Sequence, residues 1–472
     1  MTADGMYEDH TGTGGLNPMP YDVFPRKYLA VMMARGYNET HAEYITEMSR
    51  RGASMSLIMQ SPLGEIPTGG RSSQHQWNEA VSMTLYEIWA TRYNQGIGMA
   101  GGPQPDIACM FKRAAKLSLQ SLRRWVLPAG EMEIVKNKFD PALRWGYQSY
   151  SYQSQYNLLP ASMVATAFLF ADESIPECAA PADIGGYAFY LPRFNKVFAN
   201  AAGTYVEHET GADPHYDSTG ITRVHSKRMS SGPDGVGLLG PTAGTEQEDG
   251  GLAIGPCWQL TSGKVRPTSR LYEGVLSGYT CLSDKLAPDV YAVTLLPGTD
   301  NNASYVQYEV TYVLLDDGVA VTQSVTITDG RVAVDHSVVK PTEANLEAAR
   351  EQRRGTQALS IPSSGDAVPG ASLPFSGFGV SFPAFAFDGD RNTSIEVGPD
   401  GAGGGFAVVS SPGMGSTMFS VPTVGAAHTI SMVTNSSADA LLHSRNGLVQ
   451  AVLATVSPIS TGEPSLTTVL TY

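Results

Sequence analysis

The sequence predicts an α+β multidomain chain, with helical hairpins first and large antiparallel sheets of the β-sandwich type after them. Two observations carry this. Apolar residues recur at helical spacing from about residue 21 to 172. From about Gly186, runs of period two punctuated by Gly, Asp and Asn take over. With 50 glycines, 30 prolines and 42% hydrophobic residues in 472, the chain has the composition of a turn-rich globular protein.

The helices are read in order. Tyr28–Met33 belongs to a first helix that ends near Arg35-Gly36, and a second runs from near Thr40 towards Met59. A Gly/Pro loop, Ser61 to Gly70, precedes a third helix from about Ser73 to Tyr93, with Trp77, Val81, Leu85, Ile88 and Trp89 at helical spacing. A fourth spans about Ile107 to Val126 and a fifth about Gln153 to Phe170. Short links between amphipathic helices predict stacked antiparallel hairpins.

Strands are expected at Tyr187–Leu191, Gly203–Glu207, Tyr305–Val313 and Val319–Ile327. A short helix is expected at Thr342–Arg354, a long loop over 360–382, and a turn at Gly401–Gly405. The domains follow: 1–180 helical, 181–360 a central antiparallel β-sandwich, and 361–472 a C-terminal β-sheet region.

Net charge is −14, unevenly placed: residues 1–205 carry 17 Lys+Arg against 18 Asp+Glu, so the acidic excess lies in the β half. That balance argues against nucleic-acid binding, which needs a basic footprint. An anionic ligand meets less repulsion on the helical half. No apolar run reaches the ~18 residues of a membrane span. Cys109, Cys178, Cys257 and Cys281 show no CxxC spacing, so no zinc site is expected. Two cysteines per half permit one disulfide in each, with free buried thiols as the alternative. Sequons at Asn38, Asn302, Asn392 and Asn435 permit glycosylation. Met1–Gly5 is polar, with no apolar signal-peptide core.

The densest polar run is Gly69-Gly70-Arg71-Ser72-Ser73-Gln74-His75-Gln76-Trp77-Asn78-Glu79. If the helix is already formed at Arg71, then Arg71, His75 and Glu79 share a stripe with Asn78 beside it, while Trp77 faces packing. The paired glycines would let the backbone approach a ligand closely. A capped, solvent-facing helix start is the alternative. A second cluster joins Arg144, Trp145, Tyr147, Tyr150, Tyr152 and Tyr156. Tyr and Trp can stack on sugar rings while their polar ends bond hydroxyls. Helix-packing tyrosines are the competing account.

Asp4-Gly5-Met6-Tyr7-Glu8-Asp9-His10, then Tyr21, then Gly70-Arg71-Ser72 with 50 residues from Tyr21 to Arg71, resembles the (α/α)-toroid polysaccharide lyases of the hyaluronate and chondroitin lyase type. Heparinase and alginate lyase families share that architecture. The resemblance implies an incomplete (α/α) toroid followed by β-sheets, and a chain that is the C-terminal part of a longer, secreted protein. It implies β-elimination at a uronic acid, with no cofactor and no metal. Arg71, His75 and Asn78 would neutralise the carboxylate and stabilise the enolate-like intermediate. Tyr21 would act as base and acid if a nearby arginine lowers its pKa, with His10 as the alternative base. Gln74, Trp77, Glu79, Arg144, Trp145, Tyr147, Tyr150, Tyr152 and Tyr156 would bind substrate. The expected partner is an anionic polysaccharide, with no nucleic acid and no membrane, and the chain is expected to be a monomer. The rival enzyme is a glycoside hydrolase using two carboxylates, with Glu79 and Asp22 as candidates. A non-catalytic carbohydrate-binding fragment is the third reading.

Overall fold

The computed structural model describes the chain in full over residues 1–9, 17–137, 139–144, 146–147, 150–210 and 220–227, and describes strands by their backbone from 255 to 471. His10, Trp145 and the 342–354 stretch lie outside the described residues.

The helices are α1 (Met19–Ala34), α2 (Ala42–Met59), α3 (Trp77–Gln95), α4 (Pro105–Arg124), α5 (Gln155–Phe170) and the short α6 (Pro181–Ile184). In α1 and α2, Arg26 bonds Ser56 and Thr46 bonds Met33, so early meets late and the pair is antiparallel. The α3–α4 hairpin closes where the Gln104 amide donates to the Tyr93 carbonyl. Gly96 takes the left-handed conformation that ends α3 (φ 69°). By contrast, α5 runs parallel to α3, since Thr84 and Thr91 bond the carbonyls of Met163 and Phe170 in the same order. No described helix is long and apolar enough to cross a membrane.

The third helix departs most from expectation. It begins at Trp77, with Arg71–Gln74 in turns and His75 in a β-bridge, because Ser72 and Gln74 hold positive φ (64° and 63°) that no helix accepts. It also lacks a solvent face. With α1, α2, α4 and α5 around it, even Asn78, Glu79, Ser82, Thr84 and Glu87 are buried. Both the polar stripe and the solvent-facing helix start expected there are therefore corrected: Arg71, His75 and Glu79 share no helical face.

Cys109 and Cys178 form a disulfide that ties α4 to the segment between α5 and β1. The side chains of Cys257 and Cys281 are outside the described residues.

The first sheet has order β1 (Gly185–Leu191), β2 (Lys196–Ala201), β3 (Thr204–Glu209), β4 (Gly220–Ser226), all antiparallel. Next come β5 (Gly255–Leu260), β6 (Val265–Pro267), β7 (Leu276–Ala287), β8 (Val290–Thr299), β9 (Val306–Leu315) and β10 (Gly318–Ile327). After them come β11 (Phe375–Ala386), β12 (Ser394–Pro399), β13 (Gly405–Ser411) and β14 (Gly415–Val421). The last strands are β15 (Thr429–Val433), β16 (Leu442–Ser444), β17 (Gly447–Pro458) and β18 (Thr468–Thr471). An eight-stranded sheet runs β12-β13-β14-β18-β10-β9-β8-β7, and a six-stranded one contains β15-β17-β11-β5-β6, with β16 on β17. The fold is thus α+β with antiparallel sheets. The loop expected over 360–382 is corrected in its last part, where β11 begins at Phe375 and pairs with β5 and β17.

β2, β3 and β4 are buried at every residue. One face of this sheet meets the loop between α2 and α3: Tyr205 donates to the Met59 carbonyl, Arg223 to that of Ile66, and Glu207 accepts from Thr68. β1, β2 and β3 also run close to β7, β8 and β9. With burial on both sides, the charged side chains of these strands must be paired.

Candidate functional site

The turn between α2 and α3 is held from below. Lys136 pairs with Glu79 at 2.6 Å and with Glu65 at 3.4 Å, and Arg223 pairs with Glu65 at 2.9 Å. Lys196 pairs with Glu209 at 2.5 Å and Glu207 at 3.1 Å. Burial alone would raise the Glu65 carboxyl, but Lys136 and Arg223 hold it at about 2. Burial wins at Glu79, whose carboxyl is pushed up despite Lys136. Glu79, expected to bind substrate, is therefore part of an internal charge cluster.

The two glycines serve the same packing. A Cβ on Gly69 would lie 2.8 Å from the Lys196 side chain, and one on Gly70 would lie 2.9 Å from Pro18. Their positive φ values (114° and 76°) also demand glycine. What comes close to them is the protein itself, which corrects the expectation of a ligand there.

Above this base, three hydroxyls meet. The Tyr21 hydroxyl of α1 lies 3.2 Å from Ser72 Oγ, and Ser72 Oγ lies 3.0 Å from the Tyr150 hydroxyl. Ser72 is buried, while Tyr21 and Tyr150 are half-buried. The Arg71 guanidinium lies over the Tyr21 ring, 4.8 Å from its centre, and reaches Asp9 at 3.5 Å. Tyr21 also packs edge-on against Trp77, and Tyr150 against His75 and Tyr156.

His75 and Asn78 form the floor. Both are buried: His75 Nδ1 accepts from Trp77 Nε1 at 3.3 Å, and Asn78 Oδ1 accepts from the His75 amide at 3.1 Å. A β-bridge from His75 to Val135 and the Gln76 amide on the Ile134 carbonyl fix the turn from the far side. Gln74 and Trp77 are likewise buried. Of the carboxylate-neutralising trio expected from the sequence, Arg71 alone is half-exposed.

The tyrosine cluster divides. Tyr150 and Tyr156 join Ser72 and His75. Tyr147 bonds Glu133 and packs on Tyr152, over which Arg144 stacks at 5.0 Å. Asp22, a candidate hydrolase carboxylate, is buried and paired with Arg26, as Glu79 is with Lys136. Neither acid is accessible.

Sequence reasoning missed three parts. Tyr150 is expected from the sequence at a sugar-stacking surface, yet its hydroxyl reaches the same serine as Tyr21. The sequence marks Ser72 only as the last letter of Gly70-Arg71-Ser72. Asp9 carried no role. The Gly-Arg-Ser segment was the one available signal for Ser72, because its left-handed conformation and its two partners arise only on folding.

No protein-family model matches the chain, and no curated protein does. Among solved structures, it is similar to a Paenibacillus xanthan lyase, with 10% identity and a TM-score of 0.39. It is also similar to a 4-alpha-glucanotransferase from Thermococcus litoralis, with 11% identity and a TM-score of 0.34. The matches cover 100% and 95% of this chain but only 39% and 57% of those chains. At these values the function has to be argued from this chain's own residues.

Proposed function

We propose that the chain carries the catalytic turn of a polysaccharide lyase that cleaves a uronic-acid-containing polymer by β-elimination. The observation that supports this best is the placement of two tyrosine hydroxyls on Ser72 with the Arg71 guanidinium beside Tyr21. β-Elimination needs a cation at the substrate carboxylate, a base for the neighbouring carbon's proton, and an acid for the leaving oxygen. Arg71 supplies the cation and Tyr21 the base. His75 and Asn78 are positioning residues that hold the turn and the Tyr150 ring. Tyr152 and Arg144 offer an exposed aromatic and a charge for adjoining sugar units.

In this reading the helices over 1–180 are part of an (α/α) toroid, and 181–360 and 361–472 are the β domains that follow it. The protein works outside the cell. The Cys109–Cys178 bond accords with an oxidising compartment.

The test is incubation with hyaluronan, chondroitin, heparan sulfate and alginate while following the ultraviolet absorbance of a carbon–carbon double bond conjugated to a carboxylate. Absorbance should rise on at least one polymer, and rise far more slowly with Tyr21→Phe. New reducing ends without the absorbance would overturn the lyase in favour of a hydrolase.

A further inference from the structure

We propose that Ser72 is a proton relay between two tyrosines, so that Tyr21 and Tyr150 divide the base and acid roles and Ser72 resets them after each turnover. The inference rests on the lyase reading and deepens it. Its basis is the unbroken line from the Tyr21 hydroxyl to Ser72 Oγ (3.2 Å) to the Tyr150 hydroxyl (3.0 Å). In both links either oxygen can be the donor. A hydroxyl both donates and accepts, so the line can run in either direction.

The protons balance as follows. In the reacting form the three oxygens share two protons: Tyr21 has given one up, Ser72 donates to Tyr21, and Tyr150 donates to Ser72. Tyr21 takes the proton from the carbon next to the carboxylate. That C–H bond breaks, its electron pair becomes the new double bond, and the bond to the leaving oxygen breaks. Tyr150 gives its proton to that oxygen. Tyr21 is now neutral and Tyr150 is the phenolate, so the line has reversed. Ser72 passes its proton to Tyr150 and receives the one on Tyr21, which restores the starting state without exchange with bulk water.

The backbone at Ser72 points the same way. A serine at φ 64° is strained, and the neighbouring Gln74 is held at φ 63°. Glycine would be the relaxed choice at Ser72 if conformation were all that mattered there. The serine keeps an oxygen, buried to 2% exposure, between two half-buried phenols.

This makes Ser72→Gly a clean probe, since it removes the hydroxyl and relieves the strain. On whichever of hyaluronan, chondroitin, heparan sulfate or alginate the protein eliminates, kcat should fall by roughly 10²-fold, the low end of a positioned proton carrier's contribution. KM should stay unchanged. The kcat isotope effect in mixed H2O and D2O, curved in the wild type by more than one moving proton, should become linear. Tyr150→Phe should lower kcat similarly, and it stands in if Ser72→Gly fails to fold. If either folded variant keeps kcat within about twofold of wild type, the relay is wrong while the lyase reading stands. If the wild type forms no unsaturated product from any of the four polymers, both fall together.

Discussion

Arg71 sits with its guanidinium 4.8 Å from the centre of the Tyr21 ring while also reaching the Asp9 carboxylate at 3.5 Å. The cation is thus shared between a candidate base and an internal acid. Arg71→Ala should lower kcat/KM for elimination by about 10²–10³-fold, the usual loss when one stabiliser of a developing oxyanion is removed. Arg71→Lys should recover part of it. Steady-state kinetics on the polymer that turns over checks this, and near-wild-type turnover by Arg71→Ala would remove the residue from the site.

Asp9 stands where a substrate carboxylate would compete for Arg71. The arginine side chain is 38% exposed and Asp9 13%, so the pair is worth at most about 1 kcal/mol. Asp9→Asn should therefore tighten polyuronate binding by no more than about fivefold. Isothermal titration at low salt reads the difference, which should shrink as salt is raised. Weaker binding would mean that Asp9 orients Arg71 instead of competing for it.

Lys136 lies between two buried carboxylates. Lys136→Met leaves Glu79 without its cation and should cost about 3–5 kcal/mol in urea unfolding. The double variant Lys136→Met, Glu79→Met should recover part of the loss, because the Glu79 charge goes with its cation while Glu65 keeps Arg223. A single variant as stable as wild type would show that the cluster adapts.

Two buried histidines set an acid limit. Burial, reinforced by Lys196, holds His208 down at about 3 against an ordinary 6.5, and burial together with Arg223 holds His225 well below 6.5 as well. From about 6.5 towards 3 the unfolded chain binds protons that the folded chain refuses, so stability is present above 6.5 and is lost as pH falls. Glu65, held at about 2, adds loss in the same direction from about 4.5 downward, whereas the raised Glu79 acts in the opposite sense above 4.5. Melting temperature should climb with pH across this window, and His208→Gln should flatten the climb. A flat wild-type profile from pH 4 to 7 would contradict the assignment.

Helix positions were legible because apolar spacing records them directly: α2, α4 and α5 start and end within a few residues of expectation. The start of α3 was not legible. Ser72 and Gln74 adopt left-handed conformations that nothing in their identity announces. The depth of α3 was also hidden, since Ser82, Thr84 and Glu87 look like a wet face until α4 and α5 cover them. The same holds for the site. Motif spacing points to Tyr21 and Arg71, whereas Tyr150 reaches Ser72 only through tertiary folding across 78 residues. Glu79 misled because a carboxylate near an arginine reads as functional, and its real partner, Lys136, is 57 residues further on.

Thr68 and Gly69 belong to the helical layer by sequence but to the sheet by energetics. Glu207 accepts from both the amide and the hydroxyl of Thr68, and the Lys196 side chain fills the space where a Gly69 side chain would be. Cutting the chain after α6 would strand these groups beneath Arg71. Anyone transplanting the Gly69–Glu79 turn onto another scaffold would have to carry β2, β3 and β4 along. The unit that can be inherited or engineered as a piece is the turn with its supporting sheet.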